Sequence, residues 1–252
     1  MAKRAALTRI DGDGDTDAGS LIERTYIRMR DDIVEGRRAP GEKLRVQHLT
    51  ADYGVSAGTL REAITRLAND ALVVAESQRG FHVAPIALAD LQDLTELRLH
   101  IELDALRRSI RDGDAAWRAA LQQAYDELSL AERPLRVEWR ARWEGLNSRF
   151  HEALIAPAAS PWTLKVLRVL ARHAERYRRY AMAIPGSGRD VHAEHEAIFR
   201  HAMAGHDVRA ALALEAHVRN TLDLIIEARR GGLDVLPAAG ATLPVARRRG
   251  DR

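Results

Sequence analysis

Residues 54–69 read GVSAGTLREAITRLAN, and this stretch decides how the N-terminal third folds. Gly54-Val55 makes a tight turn, and Ser56 is a good N-cap for a helix running to about Asn69. At about 100° per residue, Leu60, Ile64 and Leu67 fall on one inward face. Gly58, Arg61, Glu62, Thr65 and Asn69 take the opposite side. Small residues at the helix start, with a single Arg one turn in, let such a helix end sink into the major groove of DNA. Arg61 can then reach a guanine edge or a phosphate, with the amides near Ser56–Gly58 against the backbone.

The flanks agree with that reading. Leu21, Ile22, Tyr26, Met29 and Ile33 recur at helical spacing, and Gly36 stops this first helix before a Pro40-Gly41 turn. A second short helix is predicted over residues 46–53. Two apolar runs, 72–75 and 81–85, are separated by Glu76-Ser77-Gln78-Arg79-Gly80, a hairpin signature. Helix, helix, turn, helix, hairpin is a winged helix-turn-helix, expected over residues 20–86. The candidate DNA contacts are Arg45, Gln47, Ser56, Gly58, Thr59, Arg61, Thr65, Arg79 and Gly80, the last two at a hairpin tip lying over the adjacent groove.

The residues from Ile27-Arg28 to Gly36, then Pro40-Gly41-Glu42-Lys43-Leu44, Val55-Ser56, Leu60-Arg61-Glu62-Ala63 and Arg79-Gly80-Phe81-His82-Val83 resemble the N-terminal domain of the GntR family of bacterial transcription factors. The resemblance spans about residues 20–85 and implies double-stranded operator DNA as partner. Two positions depart from it. Ala57 follows the capping Ser where the family usually has Arg, and Gln47 stands where many members carry Arg. Gln can read adenine bidentately, and Arg45 nearby can take a phosphate.

Composition bounds the rest. The 252 residues carry 39 Lys+Arg against 36 Asp+Glu, a net charge of +3. No segment is a basic block: residues 20–85 hold 10 basic against 9 acidic side chains, and residues 86–230 hold 22 against 21. Charge alone therefore neither announces DNA binding nor rules it out. Cysteine is absent, which excludes disulfides, thiolate metal sites and cysteine nucleophiles. No run of 18 apolar residues and no signal-peptide core is present, so a soluble, cytoplasmic protein without membrane contact is expected. Residues 1–19 are expected as a disordered leader. Their Asp11-Gly-Asp13-Gly-Asp15 run suggests a calcium loop, but the positions that need Gly and Glu hold Thr16 and Ile22.

From Ala89 to Arg230 only helical patterns occur, over about 90–111, 114–132, 135–156, 161–183, 189–204 and 207–229. The breaks fall at Gly113, Pro134, Pro157/Pro161, Pro185-Gly186 and Gly205. Six antiparallel helices with short connections make a bundle, expected over residues 87–230. Residues 231–252 are expected as a flexible basic tail. The fold class is thus mainly α: a winged helix-turn-helix (α+β) followed by an all-α antiparallel bundle.

Ten histidines invite a census. His48, His82, His100, His173, His201 and His206 are taken as structural or solvated, and His192 is left open. Asn147 and His151 stand four residues apart and share one helix face. His195 and His217 lie 10 and 12 residues from Gly205, so an antiparallel hairpin about that glycine sets them at the same height. Three imidazoles and one amide oxygen then converge as a divalent-metal site with open positions. The H-E-x-x-H and H-x-x-E-H protease patterns are not satisfied: Phe199 and Ile155 stand where a second His is needed.

The Arg98/Glu102 pair, Asn147-x-x-Phe150-His151, Glu194-His195-x-x-Ile198 and Ala213-x-x-x-His217 resemble the FCD domain, the helical effector domain joined to GntR winged helices. The resemblance spans about residues 90–228. It implies a zinc or nickel ion held by Asn147, His151, His195 and His217, a small organic acid as effector, and homodimerisation. An Asn where the family also uses Asp is a weaker ligand and leaves the site more positive, which suits an anionic effector. Arg98, Arg149, Arg178 and Asn220 are the candidate effector contacts. The expected function is a homodimeric, ligand-responsive regulator, more often a repressor in this family, on a pseudo-palindromic operator; it is not expected to be an enzyme. The alternative is a metal-dependent enzyme acting on an organic acid, with Glu194 or Glu196 as acid/base.

Overall fold

The computed structural model describes residues 13–76, 79–133 and 140–237, with side chains from Leu21 onward. The chain divides into two compact units, the break in sequence falling between Pro85 and Ile86.

In the first unit α1 (Asp13–Val34) is followed by β1 (Lys43–Leu44), α2 (Val46–Tyr53), α3 (Ala57–Asn69), β2 (Val73–Glu76) and β3 (Gly80–Val83). The apolar stripe of α3, Leu60, Ile64 and Leu67, is fully buried against Met29 and Ile33 of α1, Leu49 of α2 and Val83 of β3. Ser56 caps α3 as expected, its Oγ accepting from the Thr59 amide at 3.2 Å. Gly54 ends α2 in the left-handed conformation, φ 67°, which a side chain rarely adopts.

Two features differ from expectation. Helix α1 begins at Asp13, so residues 13–19, read as the end of a leader, are helical. Residues 1–12, with Asp11 at the head of the calcium-loop run, lie outside the described residues. The wing also has a third strand: β1 pairs antiparallel with β3 (Lys43↔His82, Leu44↔Phe81), giving the order β1-β3-β2. β2 and β3 pair from Val73↔Val83 to Glu76↔Gly80, and Gly80 takes φ 86°. Gln78, at the tip, is outside the described residues.

The second unit is the bundle α4 (Leu88–Asp112), α5 (Ala115–Glu132), α6 (Arg140–Ile155), α7 (Pro161–Ala181), α8 (Val191–Met203) and α9 (Asp207–Arg230). Asp114, Ser160 and Asp190 cap α5, α7 and α8. Leu106, Leu121, Leu128, Trp143, Phe150, Leu154, Ile198 and Leu214 form the shared core. Helix α4 packs on α9 and α7, α8 on α9 and α5, and α5 on α6. Ion pairs Arg219–Glu96 at 2.7 Å and Arg107–Asp207 at 3.2 Å run along the antiparallel α4–α9 seam. Residues 231–237 form no regular element, and the rest of the expected tail is outside the described residues. Among the described residues no helix is long and apolar enough to cross a membrane.

Candidate functional site

The outward face of α3 carries Gly58, Arg61 and Thr65, all exposed, with Ser56 exposed at its cap and Thr59 half-buried. Thr65 Oγ1 donates to the Arg61 carbonyl at 2.9 Å, and Ser56 Oγ lies 3.0 Å from Thr59 Oγ1. Arg61 has no ion-pair partner among the described residues. Arg45, at the N-cap of α2, and Gln47 are exposed as well. On the wing Arg79 projects with 77% of its side chain exposed, paired with Glu76 at 2.9 Å. A row of donors on a rigid helix and a hairpin arginine are what groove and phosphate contacts need.

In the second unit the side chains of His151 (α6), His195 (α8) and His217 (α9) come together. One ligating atom from each lies within 4.8 Å of the others. Ring centroids are 4.5 Å apart for His195–His217, 5.2 Å for His151–His217 and 5.7 Å for His151–His195. The cause is helical spacing. His192, His195, Ile198 and Ala202 form the buried face of α8, while Leu214, His217, Val218 and Thr221 are buried on α9. Gly205, at φ 75°, turns one helix back onto the other. Asn147, one turn before His151 on α6, is buried, and its Oδ1 has no hydrogen-bond partner among the described residues; neither has His195 Nε2 nor His151 Nδ1. Buried polar atoms are seldom left unsatisfied, and a cation is a group that such lone pairs can accept.

Electrostatics keep the His151 and His217 rings neutral. Burial pushes His151 down to about 4, against the pull of Glu102. Burial, reinforced by His195 and His151, holds His217 well below the usual histidine range. A neutral imidazole keeps a lone pair free to bind a metal.

A carboxylate stands behind each ring. Glu194 Oε2 lies 2.7 Å from His217 Nδ1, Glu132 Oε1 2.7 Å from His195 Nδ1, and Glu102 Oε2 3.7 Å from His151 Nδ1. The last distance is too long for a hydrogen bond. Burial would raise the Glu102 carboxyl, but Arg98 and His151 beside it hold it at about 2. Arg98 Nε donates to Glu102 Oε1 at 2.7 Å. Arg189, in the connection before α8, grips Glu194 through Nε at 2.9 Å and Nη2 at 2.8 Å. It also reaches Thr221 Oγ1 at 3.0 Å and the His217 carbonyl at 3.1 Å.

Of the candidate effector contacts, three lie around this cluster. Arg98 and Arg178 are buried, Arg178 forming a bidentate pair with Glu144 at 3.2 and 2.5 Å. Asn220 Nδ2 donates to Glu194 Oε1 at 2.7 Å. Arg149 is not brought in: it lies on the outer face of α6, paired with Glu127 and 64% exposed. It follows Asn147 by two residues, or about 200° around the helix, so it points away. Sequence reasoning missed Glu132, Glu144 and Arg189: the first two meet partners 60 and 34 positions on, and Arg189 stands in a connecting loop with no helical period to read. His192, left open, is buried and 3.0 Å from Glu132.

Comparison with known proteins agrees with both units. Residues 21–83 match the family described as "Bacterial regulatory proteins, gntR family", and residues 93–220 match the FCD domain. The chain is 42% identical over 209 residues to an HTH-type transcriptional regulator, BphR, of Paraburkholderia xenovorans, covering 82% of this chain and 85% of that protein. It is 28% identical over 211 residues to the HTH-type transcriptional repressor GlaR of Escherichia coli, covering 82% and 96%. Its fold is similar to the crystal structure of a GntR regulator from Rhodococcus sp. RHA1, with a TM-score of 0.67, 23% identity, and 83% of this chain and 99% of the other covered. The chain therefore belongs to the GntR family of bacterial regulatory proteins: it is a DNA-binding transcriptional regulator whose helical unit carries an FCD domain.

Proposed function

We propose that this regulator is a homodimer whose winged units read a pseudo-palindromic operator and whose helical unit binds a small organic acid at a histidine metal site. The observation that carries the reading is the convergence of His151, His195 and His217 with Asn147, where Asn147 Oδ1 and His195 Nε2 are buried with no hydrogen-bond partner among the described residues. Asn147, His151, His195 and His217 would hold a divalent ion, zinc or nickel by the chemistry of an imidazole-rich donor set. The bound ion would supply a Lewis-acidic partner for a carboxylate oxygen. Arg98, Arg178 and Asn220 surround the cluster and would orient the remaining anionic or hydroxyl groups.

Arg61 and Gln47 serve as base-reading side chains, Thr65 as a further contact on the same face, and Arg45 and Arg79 as phosphate contacts. Ser56, Gly58, Thr59 and Gly80 let backbone approach backbone. Coupling between effector and operator is reciprocal: an acid that binds the DNA-free form more tightly lowers operator affinity by the same factor. Repression is the sense in which we read the regulation, as in the repressor GlaR.

The enzymatic alternative needs an acid or base at the cluster. Glu194 is committed to Arg189, His217 and Asn220, and Glu196 is exposed, which favours the regulatory reading. A gel shift on operator DNA, titrated with candidate organic acids on zinc-loaded protein, tests it. Release by one class of acid is the expected result, and no change with any acid would overturn the coupling.

A further inference from the structure

The three carboxylates behind the histidines are not equivalent. Glu102 is matched by Arg98, and Glu194 by Arg189. Glu132, the last residue of α5, has only His192 and His195 as ionic partners among the described residues, and its side chain is 2% exposed. Its oxygens divide the work. Oε1 takes His195 Nδ1 at 2.7 Å and the Trp143 indole Nε1 at 3.0 Å, while Oε2 takes His192 Nδ1 at 3.0 Å.

A carboxylate only accepts hydrogen bonds, so the His195 proton sits on Nδ1 and Nε2 is left with a bare lone pair. That Nε2 is buried and without a hydrogen-bond partner. A buried negative charge with no guanidinium beside it among the described residues is costly. A cation on the far nitrogen of the same imidazole is the group that balances it, as in the carboxylate–histidine–metal arrangements that raise ligand basicity.

We propose that Glu132 is a positioning residue of the metal site: it fixes the His195 tautomer, and its charge behind that ring sets how tightly the divalent ion is held. Trp143, which donates to the same oxygen, reports that occupancy. The proposal rests on the metal reading above and deepens it. Phe150 stands edge-on to His195 at 5.3 Å, with Tyr125 stacked on Phe199 at 4.0 Å nearby.

The test uses the full chain, stripped by a chelator and titrated with zinc against a chromogenic competitor. The same variants are then loaded with cobalt(II) for absorption and followed by tryptophan emission. Glu132→Gln keeps the shape and one acceptor oxygen and removes the charge. It is expected to weaken zinc binding about 10–100-fold and to shift the cobalt absorption, without lowering the melting temperature of the metal-free form. Glu132→Asp, which keeps the charge but withdraws the oxygen, is expected to fall between, and it carries the test should the Gln variant fold poorly. Trp143→Phe is expected to lose the largest part of the zinc-dependent emission change. Wild-type zinc affinity in both Glu132 variants overturns the role of Glu132 alone. A wild-type protein that takes up no zinc overturns the metal reading and this proposal together.

Discussion

The phenol of Tyr177, one turn from the C-terminal end of α7, donates to the Asp90 carboxylate in the first turn of α4 at 2.6 Å. The same oxygen accepts from the Ala87 amide at 3.0 Å, so one side chain satisfies both the entry of α4 and an acid at its N-terminus. Burial, with Asp90 beside it, keeps the phenol protonated far above neutrality. Tyr177→Phe leaves the Ala87 amide without that acceptor and should cost about 1–3 kcal/mol, read as a lower urea midpoint with unchanged slope. A variant as stable as wild type would show that the pair contributes nothing net.

Two glycines of the bundle should respond oppositely to the same substitution. A Cβ at Gly113 would meet Trp117 Cε3 at 2.0 Å and the Ser109 carbonyl at 2.5 Å. Gly113→Ala should therefore destabilise by about 1–3 kcal/mol. Gly145 sits inside α6 with nothing within 4 Å of such an atom, and Gly145→Ala should stabilise by up to about 1 kcal/mol. Thermal melts of the two variants check the sign in each case.

Metal loading should appear as stability. An ion that binds only the folded chain adds about 2.7 kcal/mol at a hundred times its dissociation constant, so zinc should raise the melting temperature of wild type and leave His217→Ala unmoved. Asn147→Asp replaces a neutral oxygen with a charged one and should tighten zinc binding. Equal zinc affinity in Asn147→Asp, Asn147→Ala and wild type would remove Asn147 from the ligand set.

On the DNA side, Arg61→Ala should cost about 1–3 kcal/mol on the operator and relax preference at one base position. Arg79→Ala should weaken binding to all sequences alike and flatten the salt dependence. Fluorescence anisotropy at several salt concentrations separates the two behaviours, and an Arg61 loss equal on operator and random DNA would demote it to a phosphate contact.

How much of this was legible in the sequence follows the range of the interactions. The buried stripe of α3, the Ser56 cap and the meeting of His195 with His217 are matters of helical period and of distance from one glycine, so spacing alone reaches them. Strand β1 is two residues long and has no period to read. Its existence depends on β3, far along the chain. Glu132 meets His195 across 63 positions, and only packing of α5 on α8 brings them together. Arg149 was misplaced for a different reason: the wheel that placed His151 inward turns Arg149 outward, and counting residues near a site is no substitute for counting angles.

Arg189 has one more consequence. It closes the connection between α7 and α8, where Gly186 and Gly188 adopt left-handed backbone and most neighbouring residues are exposed. Such a loop is where a trypsin-like protease would look for a basic residue. Here the guanidinium is folded inward, its side chain 9% exposed and spent on Glu194, Thr221 and the His217 carbonyl. Cleavage after Arg189 must wait for that grip to open, so the rate of nicking at this one bond measures how often the histidine centre itself comes apart.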